Sequence, residues 1–337
     1  MKRYLLVYGA LGTVALAVAG CGMIDGSDFQ GATPTAQTVA LDVPGGGTAA
    51  SADGVTQSAL LGDEADSYKL TRGVTVVVNG GTGAVLLLVR TIVSFPPSSR
   101  DGDTAVWGPH SEPLAKNAWR LTVTRLAKHQ FHWILDGKPK AAGDDAFVTI
   151  LSGDHTRAVD AAGHHIEHFG NGNFTIDWDA AATLPEHDAN VGVATFTYSR
   201  LPGAADTIDV DFNGVQDDTT HEIFNALYRY SATPGAGGEL RYGAVKDDLP
   251  EPGNTGTAKE TVTLHSRWME SGAGRADYRI VGDDVTGAVG GPATATECWD
   301  TGFASMFLDN SYNDATKKWG AESSCVFPTA DFSDVAP

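Results

Sequence analysis

From Trp119 to the C-terminus the chain reads as short runs in which apolar and polar residues alternate. Phe174, Ile176 and Trp178 fall on one side of such a run, and Thr175, Asp177 and Asp179 on the other. Ile208, Val210 and Phe212 oppose Asp209 and Asp211, and Phe224, Ala226, Tyr228 and Tyr230 oppose Asn225 and Arg229. A period of two means a strand with one dry face and one wet face. The pattern predicts strands over 119–126, 129–136, 145–152, 173–179, 191–199, 206–212, 222–231, 239–246, 259–268, 274–282 and 294–299. Short Gly- and Pro-containing breaks, such as Pro234 to Gly238 and Ser271 to Gly274, suit hairpins. Consecutive hairpins make an up-and-down meander, and a sheet that long curls or closes. No internal repeat points to a propeller.

The dry face of such a sheet needs a cover, and the segment from Asp63 to Phe95 supplies one. Leu70, Val74, Val77, Ala84, Leu88, Ile92 and Phe95 recur at helical spacing. Asp66 or Ser67 is placed to cap this helix, and Pro96-Pro97 to stop it. The run Asn79-Gly80-Gly81-Thr82-Gly83 argues the other way, for two strands joined by a turn. From Ala84 to Phe95 the segment is apolar nearly all round, so a helix here belongs inside protein. Arg90 and the shortness of the run argue against a membrane span. Residues 96–118 read as irregular, with Trp107 pinned to the core. The expected fold is mainly β: an antiparallel meander forming a barrel or half-barrel around an N-terminal helix. In architecture alone it resembles the open-barrel lipoprotein carriers of bacterial envelopes and the lipocalins, without a lipocalin G-x-W signature near the first strand. That resemblance implies an apolar cargo, such as an acyl chain.

The first residues change the cellular picture. Met1, Lys2 and Arg3 precede an uncharged apolar stretch from Tyr4 to Ala17, as in a secretory signal. It ends in Val18-Ala19-Gly20-Cys21, which resembles the lipobox of bacterial prolipoproteins. The resemblance implies cleavage before Cys21 and acylation of its thiol, with Gly22 favouring the outer over the inner membrane. Multiple acyl chains anchor stably where one binds only marginally. Residues 22–60, rich in Gly, Ala, Ser and Thr, read as a flexible tether with a span of roughly 35 Å, leaving 61–337 as a single β-rich domain.

The chain of 337 residues has a formal charge of −19. The first 21 residues hold two of the 23 basic residues and none of the 42 acidic ones, so the remainder carries −21. That balance argues against nucleic acid, whose binding rests on Lys and Arg neutralising phosphates. With Cys21 given to lipid, Cys298 and Cys325 remain, and an exported chain pairs them.

Two motifs suggest metal chemistry. His164-His165-Ile166-Glu167-His168 fits the H-x-x-E-H pattern of certain zinc peptidases, a chemistry that needs His164 and His168 on one helical face and a third ligand elsewhere. Gly163 before it and Gly170 and Gly172 after it instead mark a solvated loop between strands. Asp209-Val210-Asp211-Phe212-Asn213-Gly214 matches the first half of a calcium loop, with Asp217 and Asp218 close by. However, Thr220 holds the position where such a loop needs glutamate, and the carboxylates fit the wet face of a strand. No G-x-S-x-G elbow or P-loop is present, and no cofactor is implied. Aromatic residues on the strands (Trp119, Trp133, Trp178, Tyr228, Tyr230, Trp268 and Tyr278) either line a ligand cavity or form the core. The reading is a membrane-anchored envelope protein that binds or scaffolds, with an apolar ligand or an envelope protein as partner. The alternatives are a metal-dependent hydrolase and a calcium-stabilised adhesion module.

Overall fold

The computed structural model describes residues 29, 31–45, 61–216, 221–247, 258–282, 285, 292–310 and 318–337. The signal segment and Cys21 lie outside them, as do Asp217, Asp218 and Thr220. One helix, α1 (Asp66–Val93), precedes the strands. They are β1 (Ser99–Asp101), β2 (Thr104–His110), β3 (Asn117–Ala127), β4 (Gln130–Pro139), β5 (Val148–Val159) and β6 (His165–Asp177). After a short helix, α2 (Trp178–Ala181), come β7 (Val193–Arg200), β8 (Asp206–Gln216), β9 (Ile223–Thr233), β10 (Gly237–Asp247) and β11 (Lys259–Met269). The last are β12 (Gly274–Val281), β13 (Ala293–Trp299), β14 (Ser305–Asn310) and β15 (Lys318–Trp319). Among the described residues, these 15 strands pair antiparallel in chain order into one meander whose first and last strands do not pair.

The alternation does what its period demands. Inward residues from β2 to β11, among them Leu121, Trp133, Phe174, Val210, Tyr228 and Leu240, form one buried cluster together with Val78, Leu86 and Val89 of α1. Each such side chain contributes about 1.5–3 kcal/mol on full burial. A second cluster, Ala65, Tyr68, Leu264, Ala276 and Trp299, packs the start of α1 onto the far strands. The helix persists through its glycine run although propensity opposes it by about 1 kcal/mol per glycine; Val78 before the run and Leu86 and Val89 after it are buried in the core. Asn79, at the head of that run, hydrogen-bonds both the N–H and the carbonyl of Leu41. No described helix is long and apolar enough to cross a membrane.

The helix start differs from expectation. Neither Asp66 nor Ser67 caps it; the N-cap position is Ala65, with no side-chain bond. Instead the Glu297 carboxylate, from β13, accepts the Ser67 N–H at 2.8 Å and its hydroxyl at 2.5 Å. A buried carboxylate at a helix N-terminus meets orphan N–H groups and the positive dipole end. Burial still pushes the Glu297 carboxyl above its ordinary range, against the lowering effect of Ser67.

Two further expectations need correction. Residues 96–118 are not irregular throughout: β1 and β2 lie there, and Trp107 is buried as expected. The segment 22–60 is not tether throughout. Phe29 is 1% exposed and sits between Trp107 and Phe131, with ring centroids 6.2 Å from each. Val39 and Leu41 join the same core. Arg200 donates to the Gln37 and Ala40 carbonyls, and Tyr230 bonds both the N–H and the carbonyl of Asp42. A few apolar side chains dock this segment because the open side of the curled sheet leaves apolar surface to cover.

The outer face carries a cross-strand row that runs the width of the sheet. It passes from Thr104 through Thr124, His132, Asp154, Asn173, Thr197 and Asp209 to Arg229. It continues through Arg241, His265, Asp277, Thr296 and Asp309 to Lys318. Every member is polar. Over β4 to β9 the row is open to solvent, while His265, Asp277 and Thr296 are buried.

Candidate functional site

The described parts of the metal motifs do not assemble. His164 lies in the turn before β6, 81% exposed at the side chain, its Nδ1 3.2 Å from Asp160 Oδ2. Asp160 Oδ1 also accepts the N–H groups of Ala162 and His164, which closes the turn. His165, Glu167 and His168 already belong to β6. His168, at φ 66°, places its Nδ1 3.2 Å from Thr35 Oγ1. Residues four apart along an extended chain lie about 13 Å from each other, so His164 and His168 do not close on one ion as they would across one turn of a helix, which is the setting the hydrolase pattern needs. Asp209, Asp211 and Asn213 lie on β8 rather than on a loop. Arg229 of β9 stands 2.7 Å from Asp211 and 3.9 Å from Asp209, which supplies the positive charge a calcium ion would bring. Partial burial raises the Asp209 carboxyl, and Arg229 opposes that rise. Among the described residues, no three His, Cys, Asp or Glu side chains are grouped as metal ligands.

Among the described residues, the strand aromatics form core. Trp133, Tyr228, Tyr230 and Trp268 are buried in the main core, and Trp119 and Trp178 pack against it. Tyr278 joins the cluster around Tyr68 and Trp299. The main cluster also takes in side chains of α1 and of the N-terminal segment, and Tyr230 and Trp268 lie 6.1 Å apart. His155 points inward too, 2.7 Å from the Tyr198 hydroxyl. A Cβ at Gly170 would collide with its ring, so glycine is required there. Burial, with the nearby His165 and Arg157, pushes the His155 imidazole down to about 3.

The C-terminal residues build the most elaborate polar arrangement. Cys298 on β13 is joined to Cys325. From there the chain crosses the outer faces of β12, β11 and β10. Arg275 donates to the Phe327 carbonyl at 2.9 Å and to Glu322 at 2.7 Å. Arg267 donates to the Thr329 carbonyl at 3.1 Å, and His265 Nδ1 lies 2.9 Å from the Asp331 carbonyl. On its other side, His265 Nε2 lies 3.0 Å from Glu239. Asp277 collects Arg275, Arg267, Thr296 and the Asp331 N–H at 2.8–3.1 Å. Beyond Asp331, Arg241 meets Asp334, and Gly243 leaves room for the Val335 carbonyl. Beside this strap a depression of about 290 Å³ opens between Ser231, Gly238, Arg267, Met269 and Phe327.

Sequence reasoning paired the cysteines correctly and missed Glu239, His265, Arg267, Arg275 and Asp277. Alternation assigns them to the wet face, and only the strap makes that face buried. The available signal was the disulfide itself, which fixes the start of the tail over β13.

No family model, curated protein or solved structure matches the chain.

Proposed function

We propose that this chain is a lipoprotein of the bacterial cell envelope, anchored by acyl chains on Cys21 and, given Gly22, held at the outer membrane. It works by non-enzymatic binding or scaffolding, through the outer face of its sheet rather than through its interior. One observation carries the choice between outside and inside: α1 and residues 29–45 occupy the inner face, where a carrier keeps its cargo. The outer face of β4 to β9 meanwhile presents Asp154, Asn173, Thr195, Thr197, Asp209 and Asp211 to solvent. Such a surface offers hydroxyl, amide and carboxylate groups that can hydrogen-bond a polar partner in the envelope. The proposed partner is therefore an envelope protein and not an acyl chain. The test is a photo-crosslinking residue placed at Thr197 and, separately, at the buried Val210, in the full chain within its own envelope. A discrete adduct at Thr197 and none at Val210 supports the reading. No adduct at Thr197, or one of equal yield at both sites, contradicts it.

A further inference from the structure

We infer that the corner of the sheet around Phe29 rests on the phospholipid surface, so the body has a fixed orientation on its membrane. The inference rests on acylation of Cys21 and adds which part of the body faces the bilayer. Phe29 is eight residues from Cys21 and is locked between Trp107 and Phe131. Eight residues reach at most about 29 Å even when fully extended. A tether of some 40 residues would leave the body free to tumble; this one ties one corner down.

That corner is chemically unlike the rest of the chain. The guanidinium groups of Arg100 and Arg125 each lie 5.3 Å from the Phe29 ring, and that of Arg157 lies 5.2 Å from the Phe131 ring. Lys128 is exposed at the tip of the β3–β4 hairpin, beside Leu126, which is 61% exposed. Asp101 and Asp103 share the β1–β2 turn, with Asp103 3.7 Å from Arg125. Asp160, in the next turn along, is tied to His164. With Asp25 and Asp28 on the link from Cys21 counted, Arg100, Arg125, Arg157 and Lys128 stand against Asp25, Asp28, Asp101, Asp103 and Asp160, so the corner is close to neutral on a mature chain whose carboxylates outnumber its cations two to one. Anionic headgroups attract juxtamembrane cations within about one Debye length and repel the acidic remainder. The exposed Leu126 enters the interface between headgroups and acyl chains. Short reach and charge both select the same corner.

The test uses the full acylated chain in vesicles of phosphatidylethanolamine and phosphatidylglycerol. A fluorophore is placed at Leu126→Cys or at Ala141→Cys. Ala141 is exposed at the opposite end of the 10-residue strand β4, about 33 Å away. Quenching by a headgroup-labelled lipid is expected at position 126 and not at 141, with loss of part of the 126 signal on adding Lys128→Glu. Equal quenching at the two positions, or stronger quenching at 141, overturns the inference. The intact mass of the same sample is read in parallel. An unmodified Cys21 takes down the lipoprotein reading and this inference with it, whereas an acylated Cys21 with equal quenching takes down the inference alone.

Discussion

The two halves of the outer polar row have the same residue chemistry and opposite surroundings. Over β4 to β9, Asp154, Asn173, Thr197 and Asp209 stand in water. Over β11 to β13, His265 is 1% exposed and Asp277 0%. The difference comes from residues 320–337, which lie over one half only and are held there by Cys298–Cys325. Once covered, each charge needs a partner, because an isolated buried ion costs several kcal/mol. Arg275, Arg267, His265 and Asp277 accordingly hold one another and the backbone of the tail. In the exposed half, pairs such as His132–Asp154 and Arg229–Asp211 stay at the surface, where solvent reaches them.

The comparison breaks most sharply at Asp277. Asp277→Ala leaves two arginines and a threonine without their shared acceptor, and we expect a loss of about 3–5 kcal/mol in urea unfolding. Replacing Cys298 and Cys325 together by alanine frees the strap and costs roughly 3–4 kcal/mol by loop entropy over a separation of 27 residues. Thermal melting with and without a dithiol reductant checks this on the unmodified chain. His155 gives an effect that depends on pH. Its imidazole titrates at about 3 when folded and 6.5 when unfolded, so between these values the unfolded chain holds the extra proton. Its share of stability is complete above 6.5 and falls by about 1.4 kcal/mol per unit as pH drops toward 3. His155→Gln, compared with the parent across pH 4–7, should flatten that slope. The smallest effect belongs to the exposed half: Asp209→Ala should change stability by less than about 0.5 kcal/mol. If Asp209→Ala cost as much as Asp277→Ala, the contrast between the halves would be lost.

Much of this arrangement was legible in the sequence, for physical reasons that differ by region. Alternation at Phe174 to Ile176 and Ile208 to Phe212 predicts strands because a sheet with one dry face has no other period. Helical spacing around Leu70 to Ile92 outweighs the glycines because burial contributes more than propensity. The cysteine pairing follows from counting. Composition hid the N-terminal segment, where Phe29, Val39 and Leu41 are diluted by Gly, Ala and Thr yet suffice to dock it. It also hid the tail: the twelve residues after Cys325, VFPTADFSDVAP, show no sustained alternation, and nothing local says that they cover a face. The His164–His168 run misleads because H-x-x-E-H carries its meaning only on a helix, and the turn at Asp160–Gly163 feeds a strand. The Asp209–Asn213 run misleads because alternate carboxylates fit a wet strand face as well as a calcium loop.

The central claim is that the half-barrel is filled by its own helix and N-terminal segment and so acts from its outer face. Native mass spectrometry of the mature protein extracted from its envelope tests this directly. The expected mass is that of the chain with acyl groups confined to the N-terminal peptide. A stoichiometric lipid-sized mass that stays with the β-rich body after that peptide is cut away would contradict it.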